Sequence, residues 1–266
     1  MQRQDQEFIT SKLADLGVMD KLAGKRILVT GGTGFVGRWL DVDGLDICRF
    51  GSEINEQIYN ARKWDFIIHA APVHPEESIK CSVKNGAIFM LVSSGAVFDR
   101  PIGAPAYDVG HEKRTIELDT VYQEPSATIA RLFTIAGYGA RPGRFALDTW
   151  IRQGMAGQPL TVYNYGMSKR SYIYGADMAV WLLTILAHGE GVYDVGGIKS
   201  VQVSEVANYI ASHFGVSFEY IDGPEDPRPR YAPAQPMRAT ELGLQIWTPW
   251  REAIDKTIKE YEEYEN

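Results

Sequence analysis

The chain has 266 residues, 45% of them hydrophobic and 23% charged, and a net charge of −7. That is a globular composition, with length for one large domain or a large and a small one. An acidic balance without a block of Lys and Arg argues against nucleic-acid and anionic-membrane partners. Cys48 and Cys81 make no metal or redox spacing, so no metal is expected and both thiols are read as reduced and structural.

The N-terminal MQRQDQEFITSKLADLG is too charged for a signal peptide. The longest apolar runs, such as MAVWLLTILA, fall short of the ~20 residues a bilayer span needs, and a cytoplasmic protein is expected. Phe8, Ile9, Leu13, Leu16 and Met19 recur at a weak helical period, which predicts a short leading helix over 7–22. KRILVTGGTGFVGRWL then reads as a buried strand, a glycine turn and a helix start. KWDFIIHAA, AIFMLVSSGAVF and SATIARLFTIAGYG are further apolar runs bounded by turn residues. Continuous apolar strands between helical segments predict a parallel sheet covered on both faces. From Phe145 to Gly189 the pattern alternates helix, short strand and helix. SVQVSEVANYIASHFG predicts an amphipathic helix behind a serine cap. DGPEDPRPRYAPAQP is a Pro-rich loop, and PWREAIDKTIKEYEEYEN a closing surface helix.

In VTGGTGFVG, Gly31, Gly34 and Gly37 form G-x-x-G-x-x-G directly after a strand. Gly31 permits the tight turn, Gly34 lets the backbone approach a pyrophosphate, and Gly37 lets the helix pack on the strand. The helix N-terminus offers N–H groups and a positive dipole end to the phosphates. A glycine-rich turn without a ligand is the plain alternative, and the strand before it and helix after it weigh against that alternative.

TGGTGFVG, DFIIHAA, LVSSGAVF, TIARLF and RSYIYGADMAVWLL occur in the order seen in extended short-chain dehydrogenases/reductases. The chain resembles, more narrowly, the NAD-dependent epimerase/dehydratase group that works on nucleotide sugars. The likeness runs from about Leu22 almost to the C-terminus. It implies an α/β fold: a Rossmann-type doubly wound parallel sheet with a smaller C-terminal α/β substrate-binding domain. The expected division is a helical extension over 1–22, an NAD-binding domain over 23–140 with parts of 165–200, and a mainly substrate-binding domain over 141–266. The resemblance further implies that Gly31, Gly34, Phe35, Val36 and Gly37 face NAD (NADP is not excluded). Asp46 and Ile47 match the acidic–apolar pair against the adenine, and Ala70 and Ala71 the small residues under the nicotinamide. His69 beside them is read as packed in the sheet. Ser94 matches the hydroxyl that bonds a substrate oxygen. Arg170 and Arg230 are candidates for the sugar-nucleotide diphosphate, which suits the forked, permanently charged guanidinium; a surface ion pair is the alternative for each. A homodimer through two helices is usual for the family.

Two departures stand out. The family places an acidic residue for the ribose about 20 residues after the glycine turn, at the end of a second strand. Here GRWLDVDGLDIC runs into what reads as the third strand, with Asp41 and Asp43 the nearby acids. The chain is short again between HAAPVHPEESIK and NGAIFMLVSS, and between VFDRPIG and AYDVG. Either the protein has lost pieces of its cofactor domain, or residues are missing between consecutive numbers. The second is expected, because deleting a central strand would bare an apolar sheet edge. Jumps beyond the ~3.8 Å of a trans peptide are then expected near Leu40–Asp41, between Pro75 and Asn85, and between Asp99 and Gly110.

The other departure is in PAYDVGHEKRTIE. The family's acid/base tyrosine and its lysine stand four apart on a helix, on one face, about 40° apart at ~100° per residue. Tyr107 and Lys113 stand six apart. Tyr107 with His111 keeps the spacing but replaces the lysine. Val109 with Lys113 and Glu117 keeps K-x-x-x-E but deletes the tyrosine. Tyr107 and Lys113 are taken as the pair.

The resemblance therefore implies an enzyme that oxidises a hydroxyl of a nucleotide-linked hexose with bound NAD and epimerises, dehydrates or reduces the resulting 4-keto sugar. In it Ser94 orients substrate, Tyr107 moves the proton and Lys113 tunes Tyr107 and holds the cofactor ribose. The competing reading is a catalytically silent dinucleotide-binding relative that senses or scaffolds. Methyl transfer from a nucleoside cofactor is a third reading, against which SSGAV and RSYIY speak.

Overall fold

The computed structural model describes residues 1–98, 109–222, 230–233 and 237–265. Two helices lead the chain, α1 (Arg3–Asp15) and α2 (Val18–Leu22). The single expected helix is broken by Gly17 at φ 68°, a left-handed conformation that glycine adopts without steric cost. Then come β1 (Arg26–Thr30), one 3-10 turn at Gly37–Leu40, β2 (Asp46–Phe50), α3 (Glu56–Asn60), β3 (Phe66–His69), α4 (Glu76–Asn85) and β4 (Ile88–Ser94). A 3-10 turn at Gly95–Phe98 follows, with α5 (Val109–Gln123) and β5 (Thr128–Leu132) after it. The chain continues through β6 (Thr134–Ala136), α6 (Ala146–Met155), β7 (Leu160–Tyr163), β8 (Lys169–Tyr174), α7 (Gly175–His188), β9 (Val192–Val195) and β10 (Ser200–Gln202). It closes with α8 (Val203–Phe214), β11 (Phe218–Ile221), β12 (Arg230–Tyr231), α9 (Met237–Thr240) and α10 (Trp250–Glu265).

Six strands form one parallel sheet in the order β2-β1-β3-β4-β5-β9. Successive side chains in a strand face opposite sides, and both sides are buried. Ile27, Val29, Ile68 and Met90 turn to a core shared with Ile9 and Leu13 of α1, Leu22 of α2 and the almost wholly buried α7. Leu28, Ile67, Phe89 and Leu91 turn to a second core with Ile79 of α4 and Ile116 of α5. The doubly wound Rossmann-type sheet is present. Beside it β8 gathers β6, β10 and β12, and β7 pairs with β11.

Several expectations are corrected. The helix after the glycine turn is a single 3-10 turn of four residues, with Trp39 and Leu40 buried in it. Trp39 fills the space beside it so closely that a Cβ on Gly175 would lie 2.1 Å from its ring. The strand read as third pairs directly with β1 and forms the sheet edge. That edge is half-buried and charged, with Asp46 paired to Arg62 and Arg49 to Asp41, so the apolar edge foreseen for a deletion does not arise. The backbone continues from Leu40 into Asp41, and α4 runs unbroken over the second suspect place, held by Pro75 O accepting from Ile79 N–H at 2.9 Å. The third place, 99–108, lies outside the described residues. Helix α8 starts at Gln202 with no side-chain cap instead of the expected serine. The closing helix α10 is no mere surface helix, since it buries Ile254, Ile258, Glu260 and Tyr261.

The docking of α1 brings two carboxyls into the core. Asp5 and Glu260 are each 2% exposed. Tyr174 Oη donates to Asp5 at 3.1 Å, and Tyr138 N–H donates to Glu260 at 3.0 Å. Burial pushes both carboxyls up, Glu260 to about 7; the charge of Asp5 raises Glu260 further, while the Tyr138 N–H bond, the amino terminus and Arg38 oppose it. A carboxyl raised in the folded state stabilises fully below its unfolded value, and that stability is lost as pH rises through the folded value. For Glu260 the window runs from about 4.5 to about 7, and the loss is about 3 kcal/mol. Urea unfolding at pH 5 and pH 8 should show this loss in the parent, and Glu260→Gln should remove most of it. An equal fall in both proteins would exclude Glu260 as the source.

Candidate functional site

Parallel strands end on one side, so the turns after β1, β3 and β4 share one rim of the sheet. Strand order reverses at β1, with β2 on one side and β3 on the other, and such a switch point opens a crevice at the strands' carboxyl ends.

Gly31 takes φ 69°, and a Cβ there would lie 2.6 Å from the carbonyl of Ala70 and from Ala71 N. The glycine turn therefore rests on the Ala70–Ala71 backbone. At Gly37 a Cβ would lie 2.4 Å from Gly32 Cα, so that glycine serves close packing inside the turn. Gly34 differs. It is exposed, and its Cβ would meet Gly31 O at 3.1 Å and otherwise point into open space. Val36 packs on the core, and the Phe35 ring lies 6.1 Å from that of Phe145.

Asp46 and Ile47 open β2 in register with Arg26 and Ile27, at the far end of the sheet from this turn. The structure does not bring them to it. The other end of β2 does reach it, with Phe50 O accepting from Gly32 N–H at 2.8 Å. Glu53 follows and accepts from Gly51 N–H at 2.7 Å. A Cβ on Gly51 would touch Thr33 Oγ1 at 2.4 Å and Glu53 Oε2 at 2.8 Å, so the Glu53 carboxylate stands beside the turn. The Gly51 N–H bond holds that carboxyl below its usual range. Glu53 was missed because Asp46–Phe50 was read as a later strand. Counting about 20 residues on from Gly31 finds it.

The two serines closing β4 face opposite ways, as neighbours in a strand must. Ser93 Oγ donates to Glu117 of α5 at 2.6 Å, and Arg131 clamps the same carboxylate through Nε (3.0 Å) and Nη2 (2.6 Å). Ser94 Oγ instead lies 2.9 Å from Tyr231 Oη and accepts from Ala96 N–H at 3.2 Å. Tyr231 Oη donates to Leu132 O at 3.2 Å, and its ring packs tilted against Phe133 with centroids 5.0 Å apart. Arg170, in register with Tyr231 on the neighbouring strand, holds its guanidinium 6.0 Å from the Tyr231 ring. The Arg230 backbone pairs with Lys169; its side chain lies outside the described residues.

Lys113 is half-buried on α5, one turn before Glu117. Its charge reaches His69 at the end of β3. Burial foremost, then Lys113, holds that imidazole below its ordinary value. His69 Nε2 donates to Val73 O at 2.9 Å, and Nδ1 lies 2.9 Å from both the Thr30 and Ser78 hydroxyls, so His69 is a neutral strut. The residue one turn before Lys113 is Val109, which is exposed, as is His111. Tyr107 lies outside the described residues. The rim thus brings together Gly31, Gly34, Ala70, Ala71, Ser94 and Lys113, with Glu53 and Tyr231 added. Among the described residues no cluster of His, Cys, Asp and Glu could hold a metal ion, and no helix is long and apolar enough to cross a membrane.

Residues 108–196, from α5 to β9, match the NAD dependent epimerase/dehydratase family. UDP-glucuronic acid decarboxylase 2 of Arabidopsis thaliana is 24% identical over 314 positions, covering 91% of this chain and 69% of that protein. That alignment is longer than this whole chain, so the relative carries segments that this chain lacks. A trifunctional UDP-glucose 4,6-dehydratase/UDP-4-keto-6-deoxy-D-glucose 3,5-epimerase/UDP-4-keto-L-rhamnose-reductase of the same plant is 31% identical over 123 residues; the match takes in 44% of this chain and spans 18% of that protein. Among solved structures, the Thermus thermophilus UDP-glucose 4-epimerase complex with NAD has a TM-score of 0.76 at 17% identity, over 90% of this chain and 99% of that one. Over residues 108–196 the chain is thus similar to the NAD dependent epimerase/dehydratase family, and over 90% of its length it shares the fold of a solved nucleotide-sugar epimerase.

Proposed function

We propose that the protein is an NAD-dependent enzyme that acts on a nucleotide-linked hexose through a 4-keto intermediate. One observation carries the reading: the open side of Gly34, the Ala70–Ala71 floor, Ser94 and Lys113 line one rim at the strand switch point. A pyrophosphate fits against Gly34, where a Cβ would otherwise stand, and Ala70 and Ala71 leave a flat floor. NAD, when bound, supplies a two-electron acceptor for the hydrogen on a carbinol carbon. Glu53 is suited to the ribose hydroxyls. An ionised carboxylate there accepts from hydroxyls and repels a 2′-phosphate, which favours NAD over NADP. Arg49, the nearby cation, is already paired with Asp41.

The relatives named above decarboxylate, dehydrate, epimerise and reduce UDP-sugars. Elementary chemistry links these outcomes. A ketone at C4 makes a C6 carboxylate a β-keto acid, acidifies C5–H for loss of the C6 hydroxyl, and erases the C4 stereocentre. Ser94 would meet the reacting oxygen, Lys113 would hold the ribose and favour an ionised phenol nearby, and Arg170 would reach the diphosphate. Tyr107 is assigned the proton, from its place in the sequence.

A second reading has its own observation: one turn before Lys113 stands Val109, so the helix itself carries no tyrosine at the family's spacing. A silent NAD-binding relative would look the same there. A homodimer is part of the main proposal, because α5 buries one face yet exposes Leu118, Val121 and Tyr122, and α4, which packs against α5, exposes Val83. The test is incubation with NAD and a panel of UDP-hexoses, followed by reduced-nicotinamide absorbance, NMR of the sugar, and sedimentation. NAD binding with no sugar converted would favour the silent relative, no binding of any UDP-hexose would sink the enzymatic reading, and a monomer would remove the second copy.

A further inference from the structure

A serine hydroxyl has one proton to give and two lone pairs to receive with. At Ser94 two of these three are committed. One lone pair takes Ala96 N–H at 3.2 Å. The other commitment follows from Tyr231. Its phenol has a single proton, and the Leu132 carbonyl, 3.2 Å away, can only accept it. The contact between Tyr231 Oη and Ser94 Oγ at 2.9 Å must then be a bond that Ser94 donates. The relay runs one way: Ala96 N–H to Ser94, Ser94 to Tyr231, Tyr231 to Leu132 O. What Ser94 still presents to the crevice is a lone pair.

From this relay we infer that Tyr231 is a positioning residue that fixes Ser94 as a hydrogen-bond acceptor, so that the site favours the hydroxyl form of its sugar over the keto form. A carbinol O–H can donate to Ser94 as it stands. A ketone oxygen offers no proton, and binding it through Ser94 requires breaking the bond to Tyr231. The device has a clear mechanical basis. Tyr231 is carried on β12, in register with Arg170 on β8, and its ring is held at 5.0 Å against Phe133, so the phenol is fixed from both sides. The sequence separation of 137 positions between Ser94 and Tyr231 makes this a property of the assembled fold. The inference rests on the reading of Ser94 as the residue that meets the reacting oxygen.

The test compares affinities for the UDP esters of 6-deoxyglucose and of 4-keto-6-deoxyglucose in the two non-reactive combinations, the hydroxyl sugar with NADH and the ketone with NAD. Calorimetry is run on the parent, Tyr231→Phe, Ser94→Ala and the double variant. Phenylalanine keeps the ring on Phe133 and returns the Ser94 proton to the crevice. The hydroxyl-to-ketone affinity ratio should fall about tenfold in Tyr231→Phe, the size of one ordinary hydrogen bond. It should not change further when Tyr231→Phe is added to Ser94→Ala. A purely structural tyrosine would weaken both ligands together and leave the ratio alone. If Ser94→Ala moves the ratio and Tyr231→Phe does not, the role given to Tyr231 is wrong while Ser94 keeps its own. If the parent binds neither sugar, or Ser94→Ala changes neither affinity, the reading of the site fails and the inference with it.

Discussion

Gly34→Val should fold almost as stably as the parent and lose NAD affinity by about 10²-fold or more. The two halves of this expectation have separate causes. Gly34 does not sit in the left-handed region, and its Cβ direction is open apart from Gly31 O at 3.1 Å, so a side chain strains little. That same direction is where a pyrophosphate must approach the backbone, and losing one or two charge-assisted N–H bonds costs about 3 kcal/mol. Gly37→Ala is the contrasting variant. Its Cβ would stand 2.4 Å from Gly32 Cα, so the backbone itself must move, at the ~1–3 kcal/mol typical of overpacking. Melting curves with calorimetric titration separate the two. Unchanged NAD affinity in Gly34→Val would remove the phosphate from this turn.

Lys113→Met should cut turnover by about 10²- to 10⁴-fold, the usual consequence of disabling acid/base catalysis. It should also weaken NAD, because the same ammonium serves the ribose. Methionine keeps the unbranched length of the side chain, and Lys113 is only half-buried, so the melting temperature should hold. Tyr107→Phe should match the loss in turnover and spare cofactor binding. His111→Ala should leave turnover near parental, since His111 is exposed on α5 and two residues away from the face that carries Lys113 and Glu117. Essential His111 with dispensable Lys113 would restore the four-residue register with Tyr107. Full activity in Tyr107→Phe would rule out both tyrosine registers.

The sheet and its glycine turn were legible because buried parallel strands are written as continuous apolar runs, and RILVT, FIIH and IFMLVSS are such runs. The edge strand DICRF was harder to place. It is half-buried and mixes charges with apolar residues, so nothing local says which neighbour it takes, and the ribose-side acid went unnoticed with it. The chain was read as short between HAAPVHPEESIK and NGAIFMLVSS, yet EESIKCSVKN forms helix α4 there, with Ile79 and Cys81 buried and Gly86 ending it in a left-handed cap. The comparison with family length obscured a local pattern that was sufficient. Glu117 was legible as a spacing partner of Lys113, but its clamp by Arg131 and Ser93 depends on β5 lying beside β4. Tyr231 was beyond reach for a related reason. It lies in a Pro-rich stretch without periodicity, and only the pairing of β12 with β8 carries it to Ser94.

The place of β2 at the sheet edge also bears on how this chain behaves among copies of itself. An edge strand offers unpaired N–H and C=O groups to any extended segment that drifts by, and such edges seed self-assembly unless something discourages the addition. Here Asp46 and Arg49 project from the strand and are tied to Arg62 and Asp41. A strand joining that edge would have to strip water from four charges while adding few apolar contacts in return. Resistance to fibrous aggregation at this border of the sheet therefore resides in these four side chains.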